Sequence, residues 1–376
     1  MSSVEVRPVK GLAGRRRFVD LPFRLYRDDP SWVPPLRLSV YDRISPRHPA
    51  NATQETQLWM AWRGREPVGR IGACIDSTFD RLHGERWGWV GFFESIDDQE
   101  VADALFAAAT AWAGSKGAET CTGPASFTLN DECGLLVENF DDPPLLLTTE
   151  NPRYYERLWT AAGWEQAMDL WAWKFVRDGT ELSDRQHRIL ERLQKRANVT
   201  VRPGRMKDFD AEVARIFEVY NAAWIQNWGF APLSEAEVKH LAKQIKPIVD
   251  PNLVLIAETP DGEPVGVSIC LPDANEPMKR IRSGRLLPFG WYHLLREMKR
   301  PKQARVWALG IKPDYQLRAL GPLLYTQIME NLRAIPTIVA AEASWILATN
   351  DRMNSAIEVM GATHYKTWRL YQRPAG

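Results

Sequence analysis

The sequence predicts an α+β protein of two tandem domains, each a mixed, mostly antiparallel sheet flanked by helices. Three observations carry this reading. A chain of 376 residues exceeds what one hydrophobic core usually organises. An order of strand, turn, strand, strand and helix occurs twice along it. Both occurrences close in the same way, with a helix stopped by glycine and followed by an aromatic strand.

Residues 58–75, LWMAWRGREPVGRIGACI, read as a hairpin because apolar runs flank the Gly/Pro-containing RGREP. WGWVGFFE (87–94) reads as a further strand, and DDQEVADALFAAATAWAGSKG opens on acidic N-cap chemistry before apolar residues at helical spacing. The order returns in LVLIAETPDGEPVGVSICL (253–271), RVWALGI (305–311) and the helix expected from Gly321 to Ala334. The closing helices are expected within 150–164 and 349–362. The boundary falls near residue 180, giving domains 1–180 and 181–376, with SDRQHRILERLQKRANV (183–199) as an amphipathic connector.

Composition excludes several classes of function. Apolar residues make up 45% and charged residues 25%, with a formal net charge of +1, so nothing asks for bulk nucleic-acid binding. The four cysteines, Cys74, Cys121, Cys133 and Cys270, form no C-x-x-C pair and suit structural thiols in a reducing compartment. The six histidines form no local ligand motif and no G-x-S-x-G occurs, so metal and covalent hydrolase chemistry lack support. Met1 to Arg17 is polar and basic, and no run of about 18 apolar residues appears, so a cytoplasmic protein is expected. Sixteen tryptophans fit either a large apolar ligand or rigid cores. Segment 277–303 interleaves Lys279, Arg280, Arg282, Arg285, Arg296, Lys299 and Arg300 with Leu286, Leu287, Phe289 and Trp291. That pattern suits contact with the inner membrane face, or a solvated basic face over a buried aromatic stripe.

The most informative stretch is VWALGIKPDYQLRALGPLLYTQ (306–327). A strand ends at Gly310 and Ile311, a turn follows, and Arg318-Ala319-Leu320-Gly321-Pro322-Leu323 opens a helix. Unpaired N–H groups and the positive end of the helix dipole suit a pyrophosphate there. Gly321 allows close backbone approach, and Arg318 adds a charged donor. Here the sequence resembles the GCN5-related N-acetyltransferase superfamily, whose loop reads Arg or Gln, two residues, Gly, one residue, then Gly or Ala. Arg318 and Gly321 match, whereas Leu323 departs. The order that follows, a strand SWILATN (344–350), a helix, then Gly361 and an aromatic strand, is also the family's. The resemblance implies acyl-CoA as co-substrate, no metal, pantetheine held along Leu309, Gly310 and Ile311, and a cofactor-contacting Asn350. It also implies a general-acid tyrosine where this chain has Ile357, so the acid must come from elsewhere or from water. The first repeat lacks the Arg/Gln-x-x-Gly and carries Asp97, Asp98 and Glu100 instead, so that half is not expected to bind CoA.

Two further runs point to the substrate. GPASFTLNDECGLLVENFDDPPLLLTTEN (123–151) is long, rich in turn formers and too apolar to be disordered, which makes it a candidate cleft-lining loop carrying Asn130, Asp131 and Glu132, or else a structural loop. In the run from Tyr220 to Pro232, the rings of Tyr220, Trp224 and Trp228 alternate with Asn221 and Asn227 and suit either an apolar tunnel with a polar end or a plain aromatic core helix. With LPFGWYHLLREMKRPKQARVWALGIKPDYQ, these runs resemble a subfamily of long tandem proteins that includes the bacterial ceramide synthases. That resemblance implies transfer of a fatty acyl group from acyl-CoA to the amine of a sphingoid base such as 3-oxosphinganine. An amine of pKa about 10 must lose a proton before attack. Glu132, Asp131 and Glu342 are the candidate bases, and a backbone N–H near Ile311 is the candidate oxyanion donor. Short-chain transfer to a small polar amine, and a non-catalytic CoA-binding scaffold, remain as alternatives.

Overall fold

The structure is a computed structural model that describes residues 3–177, 188, 191–192, 198–318 and 320–375. The expected boundary near 180, most of the connector 183–199, and Ala319 lie outside the described residues. Among these, thirteen strands form one continuous sheet. Both hairpins form as the sequence predicts: β2 (Gln54–Arg63) with β3 (Glu66–Asp76), and β9 (Val254–Glu258) with β10 (Pro264–Pro272). β4 (Trp87–Ser95) and the helix Gln99–Ser115 follow the first hairpin, and β11 (Gln303–Ile311) and the helix Leu320–Arg333 follow the second. The chain also forms β1 (Val4–Pro8), β5 (Thr120–Gly123), β6 (Leu135–Glu138), β8 (Thr200–Pro203) and β12 (Ala340–Leu347).

The closing aromatic strands, β7 (Glu165–Val176) and β13 (Thr363–Pro374), do not stay in their own halves. The sheet order is β1-β2-β3-β4-β5-β13-β7-β12-β11-β10-β9-β8. β13, last in sequence, pairs with β5 and β6 of the first half, while β7 of the first half pairs with β12 of the second. β7 and β13 also pair with each other. The cores follow this exchange. Trp173 and Phe175 from β7 pack among the helix Leu320–Arg333 and β9–β12, and Tyr371 from β13 packs with the helix Gln99–Ser115. Trp368 and Leu370 join β7 residues and the N-terminal helix Gly11–Leu25 in a third cluster. All four cysteines are buried free thiols, and no described helix is long and apolar enough to cross a membrane.

Candidate active site

The two parallel contacts of the sheet, β4 with β5 and β11 with β12, behave differently. Pairing of β11 with β12 ends at Val306 opposite Ala343. Just beyond, each strand departs from register with its outer neighbour: Trp307 is the extra residue of β11 against β10, and Ser344 and Trp345 of β12 stand opposite the single Ala172 of β7. Bulges bend strands and raise local twist, so two at this level part β11 from β12 and leave a cleft beside Trp307–Ile311. In the first half the equivalent space is taken. Ala125 donates its N–H to the Val90 carbonyl at 2.8 Å, and the loop from Pro124 to Gly134 runs along β4 beyond the end of β5. Gly91 and Gly123 permit this approach, since a Cβ at either would lie 2.0 or 2.2 Å from a backbone oxygen of that contact.

The helix starts differ in the same sense. Asp98 caps the helix Gln99–Ser115 by accepting from the Glu100 and Val101 amides, and it pairs with Arg63 at 2.8 Å. A carboxylate therefore fills the place of an anion. At the helix Leu320–Arg333, Leu320 and Leu323 are buried in the core, so the departure at Leu323 serves packing while the backbone stays outside. A Cβ on Gly321 would meet only the Ile311 side chain, at 3.7 Å, which leaves room over this helix start. Arg318 is exposed and stacks on Tyr315 at 4.4 Å. Asn350 caps the helix Asp351–Val359, accepting from the Met353 amide at 3.1 Å, so its side-chain oxygen serves the fold. Leu309 is buried on the far side of β11 from Gly310, which lies beneath the Trp224 ring, and Ile357 is fully buried.

Two neighbouring cavities, of about 310 and 480 Å³, meet above the parted strands. The smaller is floored by Trp307, Ala308, Trp345 and Leu347 of β11 and β12. It gathers Asn130, Asp131 and Glu132 from the first half and Tyr220, Trp224, Asn227 and Trp228 from the second. The Tyr220 hydroxyl donates to Asn130 Oδ1 at 2.8 Å, and Asn130 Nδ2 donates to the Ala231 carbonyl at 2.7 Å, which ties the two runs together. Asn221 stands outside, donating to the Leu233 carbonyl. The larger cavity reaches from the same wall towards Met278, Leu286 and Leu294 and is mostly apolar.

The three candidate carboxylates have distinct surroundings. Asp131 accepts two bonds from Arg43, at 3.1 and 3.0 Å, and one from the Phe127 amide at 2.8 Å, so it organises the loop. Glu342 is 2% exposed and fronts neither cavity. Its oxygens accept from the Ser344 and Tyr365 hydroxyls, and Arg305 lies 3.8 Å away. Glu132 alone fronts both cavities, and no hydrogen bond or ion pair reaches its carboxylate among the described residues. Its side chain is exposed in the wall that the two cavities share. Loss of bulk hydration, then the nearby Asp131 charge, raises its carboxyl to about 7.

Sequence reasoning missed several residues here. Glu150 also fronts the larger cavity with its carboxyl raised to about 7, by burial first and then by Asp29. Arg43 fixes Asp131, and Arg305 joins both cleft strands to the Leu146 and Leu147 carbonyls at 2.8 Å. A charged residue at an inward strand position was the available signal for Arg305. Asp42, His48 and His240 come together on the cavity wall, His240 Nε2 lying 2.6 Å from Asp42. Burial, then Arg43, lowers His48 to about 4. Nearly two hundred residues separate His240 from its partners, so no local motif announced the group.

A mixed sheet parted between two bulged strands, with a free helix start beside the cleft, is the fold of the GCN5-related N-acetyltransferases in its tandem form. A tandem GNAT protein from the clavulanic acid biosynthesis pathway shares the fold with a TM-score of 0.58, at 13% identity, over 100% of this chain and 99% of its own. A probable N-acyltransferase from Enterococcus faecalis does so with a TM-score of 0.56, at 11% identity, over 100% and 73%. The chain belongs to the family of the bacterial ceramide synthase of Caulobacter vibrioides, to which it is 37% identical over 99% of this chain and 98% of that one. Protein YghO of Escherichia coli K12 is 36% identical over 95% and 92%. No protein-family model matches the chain.

Proposed function

We propose that the protein transfers a long-chain acyl group from acyl-CoA to the amine of a sphingoid base of the 3-oxosphinganine type, forming a ceramide. The observation that carries this is the placement of Glu132, a carboxyl near 7 without a partner where two largely apolar cavities meet over the parted strands. The name of the Caulobacter relative supports the same substrate class.

In this reading the pyrophosphate rests on the helix start at Leu320 and Gly321 beside Arg318, and the pantetheine lies along Leu309–Ile311. The thioester then reaches the floor formed by Trp307 and Ala308. The sphingoid base fills the larger cavity with its amine beside Glu132. Glu132 takes one proton from the ammonium, and the free amine attacks the thioester carbon while a backbone N–H of the parted strand stabilises the oxyanion. The C–N bond forms and the C–S bond breaks, and CoA departs as a thiolate that takes the second proton of the attacking nitrogen, through water, to leave an amide and the free thiol. That leaving group tolerates the absence of a tyrosine acid at Ile357. A carboxyl near 7 is matched to this task at neutral pH, whereas a fully hydrated one would be a weaker base.

Lipid would enter at the end of the larger cavity lined by Leu286 and Leu294. Beside it Leu287, Phe289 and Trp291 are 77%, 71% and 47% exposed, so these three apolar side chains are not buried beneath the basic ones. Residues 277–303 would accordingly rest on the inner membrane face, with a cytoplasmic body above. The test is release of CoA thiol from palmitoyl-CoA or acetyl-CoA, each with a long-chain amino alcohol, its 3-oxo form, or a polar amine. Release only with the long thioester and lipid amine is expected. Release with acetyl-CoA and a polar amine would make this a short-chain acetyltransferase, and CoA binding without turnover would make it a scaffold.

A further inference from the structure

A third cavity, of about 100 Å³, lies between the helices Phe209–Trp224 and Glu235–Ile245 and the sheet face formed by Val254, Ile269 and Trp307. Its lining is almost wholly apolar: Val213, Ile216 and Phe217 come from one helix, and Val238 and Ala242 from the other. Tyr220, Leu233, Leu241 and Trp307 front both this space and the cavity over the parted strands. At its far end Glu212 is held by two bonds from Arg202, at 2.7 and 2.9 Å, so that end is a fixed ionic wall. Apolar cavities of about 150 Å³ stay dry and accept a benzene-sized ligand, so this space suits roughly four carbons of hydrocarbon.

We propose that this third cavity receives the distal end of the acyl chain and sets the acyl length the enzyme prefers, an assignment that rests on the acyl-CoA reading above. Geometry favours the acyl chain over the amine's chain. A thioester laid along β11 brings its first acyl carbons to Trp307, the bulged residue that fronts both spaces. The larger cavity shares only Ile245 with the third one, and it reaches Glu132 from the opposite side. The Tyr220 ring, fixed by its bond to Asn130 and stacked 4.5 Å from Trp224, forms the sill between the two spaces.

The test is the ratio of kcat/KM for long over short acyl-CoAs, at constant amine, in Ala242→Phe, which fills the space, and Ile216→Ala, which enlarges it. The filled variant should lower the ratio of a chain that reaches the cavity to one four carbons shorter by roughly 250-fold, since each buried methylene is worth about fourfold. The enlarged variant should move the optimum towards longer chains. If Ala242→Phe fails to fold, as judged by circular dichroism, the enlarged variant alone decides. Unchanged acyl preference in a folded variant, or a shift in amine-chain preference instead, would overturn the assignment while wild-type turnover of long acyl-CoA left the parent reading standing. A wild-type enzyme that transfers only acetyl groups would remove both.

Discussion

Arg305 and Glu342 face each other across β11 and β12 one residue before the strands part, with Nε 3.8 Å from a carboxylate oxygen and side chains 1% and 2% exposed. Burial pulls the guanidinium down to about 10 even though Glu342 opposes that shift. Arg305 also binds the Ser344 hydroxyl and carbonyl at 2.9 and 3.0 Å, so the pair pins the bulge of β12 in place. Glu342 therefore acts on the cleft through its shape, and a base role would require it to abandon three partners.

Replacing Glu342 by Gln should behave as a structural lesion. It leaves a buried guanidinium without its counter-charge, which costs about 3–5 kcal/mol. A lowered urea midpoint, with residual activity tracking the folded fraction, is the expected outcome. Full stability combined with lost turnover would return Glu342 to the list of bases.

Glu132→Gln should keep its fold and lose about a hundredfold to ten-thousandfold in kcat. Wild-type kcat should rise with pH through about 7, as the carboxyl deprotonates, and the variant should lose that limb. Stability runs the other way. The folded-state value lies above the ordinary 4.5, so the protonated form is favoured in the fold, and stability falls as pH rises through 7. Discounted for water in the cavity, Glu132→Gln should be more stable than wild type by about 1 kcal/mol at pH 8 and equal to it near pH 4. Glu150→Gln, remote from the cleft floor, should leave the acidic limb of the rate profile in place.

Gly310 and Trp224 give a second handle on the cleft. A Cβ on Gly310 would lie 2.2 and 2.6 Å from two Trp224 ring carbons, so Gly310→Ala must displace the indole. The expected cost is about 1–3 kcal/mol, together with weakened acyl-CoA binding measured by titration. In a double-mutant cycle with Trp224→Leu the two changes should be strongly non-additive, because the smaller side chain removes the clash.

Much of the fold was legible because its signals are local. RGREP and DGEP sit between apolar runs, Asp98 precedes an apolar helical pattern, and Gly163 and Gly361 stop helices at positive φ. The strand exchange was not legible. β7 and β13 have similar aromatic patterns, and nothing in period or turn chemistry says which neighbour an edge will choose. At the site, Glu132 could be named from its loop but not separated from Asp131, because Arg43, 88 residues away, decides which carboxylate is neutralised. The Asp98 carboxylate at the first helix start was readable for the opposite reason, being contiguous with the helix it caps.

The exposed segment beside the larger cavity predicts a membrane phenotype. Leu287→Ser with Phe289→Ser should reduce co-sedimentation with anionic vesicles several-fold, with turnover of a detergent-dispersed amine nearly unaffected. Raising salt should weaken wild-type binding as well, since Arg285, Arg296 and Lys299 lie near the same exposed ring cluster in sequence. Binding that ignores both substitutions would place lipid entry elsewhere on the molecule.

Because β13 sits between β5 and β7, the two halves should not fold apart. A chain ending before Thr363 loses the strand that pairs with β5, β6 and β7, and with it Trp368, Leu370 and Tyr371 from two cores. Residues 1–180 expressed alone should present the unpaired β5 edge and the outer edge of β7, which invites aggregation. The intact chain, by contrast, should unfold in one transition seen alike by tryptophan fluorescence and circular dichroism, since the three main cores each contain strands from both halves. Two resolved transitions, or a soluble first half with native-like exchange protection, would show that the exchanged strands are docked late onto domains already stable without them.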